Sequence, residues 1–71
     1  LERTELYQYL QENQMLIESL SNSGRGICKR ITKLKSQHLE HPADQGVLSS
    51  LVSAVSEFRA EMRQQERRAG K

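Results

Sequence analysis

Three observations predict an all-α fold. Apolar residues recur at three- and four-residue spacing in three stretches, two clusters of turn-forming residues separate those stretches, and nothing in the chain reads as a strand. The expected elements are three helices, about 2–20, 27–39 and 43–67. They would form a small bundle, or a helical hairpin completed by another chain.

The first stretch places Leu6, Tyr9, Leu10, Asn13, Leu16, Ile17 and Leu20 on one face in the i, i+3, i+4, i+7 rhythm. It contains no Gly or Pro, and Asn13 is the polar interruption of its stripe. One reading of Asn13 is a buried amide that fixes register and partner number at a cost in stability. The other is a stripe partly open to water. Ser21-Asn22-Ser23-Gly24-Arg25-Gly26 follows, with residues that favour local turns and two glycines that tolerate positive φ.

The second stretch is short and amphipathic, with Ile27, Cys28, Ile31, Leu34 and His38 at helical spacing. It should end in Leu39–His41, because the residue before Pro42 is biased away from helix. Pro42-Ala43-Asp44 reads as the next helix start, Pro suiting the first helical position and an acid the first turn; Gly46 is the alternative start. The third stretch is the clearest heptad, with Leu48, Leu51, Val55, Phe58, Met62 and Gln65 spaced as a and d positions. Beyond it, residues 65–71 should fray into solvent.

Size and composition narrow the class. A 71-residue chain is at most one domain, here a single module over 1–71, and it reads as an excised piece of a longer protein because it opens at Leu1. Apolar residues make up 35% and aromatics 4%, thin for an independent core. One cysteine excludes an internal disulfide and suits a reducing, intracellular setting, so a partner chain is the remaining stabiliser. The longest purely apolar run, Met15-Leu16-Ile17, is far short of the roughly 20 residues of a membrane span. Charge is segregated. Arg3 stands against Glu2, Glu5, Glu12 and Glu18 in the first helix, whereas Arg25, Lys29, Arg30, Lys33 and Lys35 form a run with no acid.

No catalytic constellation is present: no Ser/His/Asp or Cys/His pair has an orienting third group, and no Gly-rich phosphate loop follows a strand. No cofactor or metal site is expected. His38 and His41 lie three apart, but Pro42 disrupts the local helix and no ligand set is completed, so they read as surface histidines near a helix C-terminus. Cys28, between Arg25 and Lys29 and beside Ile27 and Ile31, reads as a small core residue, with a reactive low-pKa thiol as the alternative.

The expected function is a protein–protein interaction or oligomerisation module that docks a partner helix through apolar heptad stripes. Its expected interface is Leu6, Leu10, Ile17, Leu20, Leu48, Leu51, Val55, Phe58 and Met62, with Phe58 as anchor because aromatics bury the most area. A parallel homodimeric rod is disfavoured, since Glu61 and Glu66 at g and e positions would meet as like charges. The alternative class is a small nucleic-acid-binding bundle, with Arg25, Lys29, Arg30 and Lys33 as the anion contacts. No aromatic residue interleaves with those cations, and a basic amphipathic helix on a membrane surface is a further reading of the same run.

The charged, aromatic-poor stretch Leu6-Tyr7-Gln8-Tyr9-Leu10-Gln11-Glu12-Asn13 and the heptad Leu48 to Met62 carry one resemblance. By pattern the chain resembles a segment of a large cytoskeletal or centrosomal coiled-coil scaffold, of the Asterless-type centriolar kind. The resemblance implies docking of partners through interchain helical bundles, in the cytoplasm on the cytoskeleton or at the centrosome. The two breaks depart from a continuous rod and favour a discrete bundle.

Overall fold

The computed structural model describes residues 2–69, with side chains through Glu66, and contains four helices where three were expected. They are α1 (Arg3–Glu12), α2 (Gln14–Asn22), α3 (Gly26–Glu40) and α4 (Gln45–Ala69). No strand occurs among the described residues.

The correction lies at Asn13, which divides the stretch expected as one helix over 2–20. Its backbone leaves the helical basin, at φ −110° and ψ 15°. Its backbone N–H and its side-chain Nδ2 both donate to the Tyr9 carbonyl, each at 3.0 Å. Asn lowers helix stability because its side chain competes for backbone partners in this way. The helical ladder resumes where the Ile17 N–H donates to the Asn13 carbonyl at 2.9 Å.

A real turn separates α2 from α3. The Arg25 N–H donates back to the Leu20 carbonyl at 3.0 Å, and the Gly24 N–H to Ser21 at 3.1 Å. Those two bonds, with Gly24 at φ +96°, define a Schellman cap, which satisfies the last carbonyls of α2 and needs a residue free of a Cβ at that position.

The start of α4 also differs from expectation. Pro42 is not the first helical residue; it is the second residue of a turn closed by the Asp44 N–H on the His41 carbonyl at 3.0 Å. Asp44 is then the N-cap, its Oδ1 accepting from the Gly46 N–H at 3.0 Å and the Val47 N–H at 3.2 Å. The helix begins one residue later, at Gln45, and its backbone stays helical through Ala69. The expected fraying over 65–71 thus falls partly on helix, its last two positions lying outside the described residues.

α3 is the central element, packed against α2 and against α4. Short turns join it to both, so both run antiparallel to it. α1 lies beside the C-terminal half of α3: Arg3 Nη2 donates to the Pro42 carbonyl at 3.2 Å, and Tyr7 reaches His38. Leu6, Leu10, Ile17, Cys28, Ile31, Leu51, Ala54, Val55 and Phe58 form the core, and Tyr9, Leu20, Ile27, Leu34, Leu48, Val52 and Met62 pack around it. Of the two expected architectures, the fold is the bundle, with its core closed inside one chain. The 25 residues of α4 span about 38 Å at 1.5 Å per residue and account for most of the 43 Å long axis.

Candidate interaction surface

The residues expected to dock a partner are the residues that hold this fold together. Leu6, Leu10, Ile17, Leu51, Val55 and Phe58 are buried, and Leu20, Leu48 and Met62 are half-buried against them. The structure brings all nine into one core. A partner could reach Phe58 or Leu51 only by opening the bundle. Apolar surface available to another chain lies elsewhere: Leu39 is 72% exposed, Tyr7 44%, Met15 85% and Leu16 38%.

Two of these border a groove between the α1–α2 flank and α3, of about 220 Å³. Tyr7, Leu10, Gln11 and Gln14 line one side, Lys35, His38 and Leu39 the other, and Leu51 of α4 closes the floor. Its geometry follows from the break at Asn13. α2 packs closely on α3, while α1, beyond the break, stands off it. The groove is smaller than the roughly 300–1,000 Å³ of sites for drug-sized ligands. It has room for one large side chain.

His38 lies at the wall of this groove and is only 4% exposed, which corrects its reading as a surface histidine. Its position in the Ile27/Ile31/Leu34 stripe overrides its position near the helix end. The Tyr7 hydroxyl and His38 Nε2 are 2.6 Å apart, with the rings stacked at 5.7 Å between centroids. Whichever of the two groups donates, His38 Nδ1 is buried with no hydrogen-bond partner. An unpaired buried polar atom costs about 1–3 kcal/mol, so this contact is a weak point of the core. His41, by contrast, is exposed.

The cationic run is not one surface. Lys29, Arg30 and Lys33 are exposed on the side of α3 away from the core. Arg25 is drawn off: its Nη2 lies 2.9 Å from Oε2 of Glu61 on α4, the side chains being 32% and 41% exposed. The pair bridges the α2–α3 turn to α4, at the 0–1 kcal/mol typical of exposed ion pairs. Across the molecule, Arg59 sits over the Tyr9 ring at 5.9 Å. Burial pushes the Tyr9 hydroxyl above its ordinary pKa, against the opposing pull of Arg59 and Arg63.

Cys28 is fully buried beside Ile31. Burial pushes its thiol pKa up, Arg25 opposing and Glu61 reinforcing the shift. A raised pKa lowers the thiolate fraction, so this is a core residue and not an activated nucleophile. Among the described residues no three His, Cys, Asp or Glu side chains converge as a metal site. No helix among them is long and apolar enough to cross a membrane.

Compared with protein-family models, curated proteins and solved structures, the chain matches none. Its functional reading therefore rests on its own residues.

Sequence reasoning missed the groove because its lining is drawn from residues that no single stripe contains. Tyr7 and Leu39 each fall beside their helix's apolar stripe, not in it. A signal was available in Leu39: a leucine next to a stripe position, followed by Glu40 and a break, has no place in a one-faced amphipathic helix.

Proposed function

We propose that the chain is a helical protein-interaction module of the scaffold type, binding another protein through surface that its own core leaves uncovered. The observation that carries this reading is the exposed pair Leu39 and Tyr7 at the rim of an apolar groove. In a chain with so few apolar residues, large side chains left in water beside a concavity mark a contact site. The buried heptad becomes the frame that presents this surface. A cytoplasmic setting on a cytoskeletal or centrosomal scaffold is the one that the pattern of the chain suggests, with a different protein or a second copy as partner.

A second reading is favoured by the exposed trio Lys29, Arg30 and Lys33, which could contact nucleic-acid phosphates. Sedimentation velocity over a wide concentration range, alone and with duplex DNA or RNA, separates the two. The module reading expects association with a protein partner or with itself that survives charge reversal at the trio. A monomer whose only association is with duplex, falling steeply with salt and abolished by K29E/R30E/K33E, would overturn it.

A further inference from the structure

Resting on the module reading, the inference here names the partner's chemistry. We propose that the groove between α1 and α3 seats an acidic amphipathic helix, which inserts one large apolar side chain between Tyr7 and Leu39 and sets carboxylates along α3. Helix-in-groove docking of this kind uses an apolar anchor for affinity and flanking charges for orientation. The groove supplies the first part: apolar walls, a floor at Leu51, and room for a single large side chain.

The charge on α3 supplies the second part. Lys29, Arg30, Lys33 and Lys35 stand on this helix against Glu40 alone. Among the described residues none of the four lysines and arginines makes an ion pair, Arg25–Glu61 being the pair that forms. Lys35 is at the groove itself. Thr32 and Ser36 lie one helical step further round, and Lys29 and Lys33 come next, so a helix resting on the groove has cations along its flank.

Three other occupants fit less well. A second copy paired about a two-fold axis through this face would bring its α3 cations against those of the first, a like-charge arrangement. A bilayer presents a broad surface that does not enter a concavity. A phosphate backbone would match the lysines and leave Tyr7 and Leu39 in water.

The test is an amide chemical-shift titration of the whole chain with two synthetic helical peptides. Both carry the same Leu/Phe face; one is Glu-rich and the other Lys-rich. Vesicles of phosphatidylserine in phosphatidylcholine and an RNA duplex complete the set. The Glu-rich peptide is expected to shift Tyr7, Gln11, Gln14, Lys35 and Leu39 saturably, and to bind at least about ten-fold more tightly than its Lys-rich twin. Leu39→Glu should weaken it by about ten-fold or more, the effect of losing one buried leucine, without moving the melting curve, because Leu39 is largely in solvent. Met15→Glu, exposed elsewhere on α2, should leave affinity unchanged. Equal binding of both peptides, insensitivity to Leu39→Glu, no binding of either peptide, or Leu39-dependent binding of vesicles or RNA in place of peptide would overturn the proposal. Saturable binding mapped to a different face would overturn the groove while leaving the module reading standing; that reading is judged separately by sedimentation.

Discussion

The α3–α4 hairpin and the α1–α2 flank are both amphipathic, yet they treat their apolar residues differently. On α4, Leu51, Ala54, Val55 and Phe58 are buried in an unbroken heptad, facing Cys28 and Ile31 of α3. On α1 and α2, Leu6, Leu10 and Ile17 are buried, but Tyr7, Met15 and Leu16 remain in water. The difference traces to periodicity. A stripe spaced 3-4-3-4-3 keeps one face toward its neighbour over the whole length. A stripe cut by Asn13 becomes two short helices that need not share a packing plane, and the groove opens where they part. Regular spacing makes core, and its interruption leaves surface.

The largest effect that could break this comparison is on stability. Phe58→Ala should cost about 3–5 kcal/mol, comparable with the whole stability that a core of this size supplies. The variant should be largely unfolded by circular dichroism at room temperature. Leu10→Ala, whose side chain borders the open groove, should cost nearer the lower limit of about 2 kcal/mol for such truncations, because its site is accessible to water and can relax. Equal losses in urea denaturation would show that the flank is as integral to the core as the hairpin.

How far the sequence carried these regions differs in the same way. The heptad from Leu48 to Met62 was legible because burial on one face leaves a direct trace in spacing, and Leu51, Val55 and Phe58 are where that trace puts them. The break at Gly24 was legible because only glycine suits its backbone angle. Asn13 was legible as an interruption, but whether its amide would stay in a helix or compete with it depends on tertiary packing. Pro42 was misplaced for a related reason: the same ring geometry suits the first turn of a helix and the second position of a β-turn. The interaction surface was the least legible. Tyr7, His38 and Leu39 come together only after α1 folds back along α3, and periodicity within one helix carries no record of that.

A smaller effect sharpens the role of the turn that joins the two regions. Gly24→Ala forces a Cβ into the left-handed region, at about 1–2 kcal/mol. Gly26→Ala meets nothing within 4 Å at the start of α3, and should stabilise by about 0.4–1 kcal/mol through the unfolded chain. Opposite signs in paired thermal melts are the expected result. The same sign for both would mean that the Schellman cap does not hold the flank to the hairpin in solution.

The smallest energetic effect carries the most information about the origin of the difference. Asn13→Ala loses the bond from Nδ2 to the Tyr9 carbonyl, at about 1 kcal/mol. It gains helix propensity, up to about 0.7 kcal/mol. The two nearly cancel, so stability should move by less than about 1 kcal/mol. The backbone should move more. If the amide causes the break, Cα and carbonyl chemical shifts at residues 12–14 become helical in the variant and the two helices fuse. If packing of α1 and α2 on separate parts of α3 and α4 causes it, those shifts stay as they are. The first outcome would make the groove a product of one side chain, and affinity for an acidic helix should then fall together with the break.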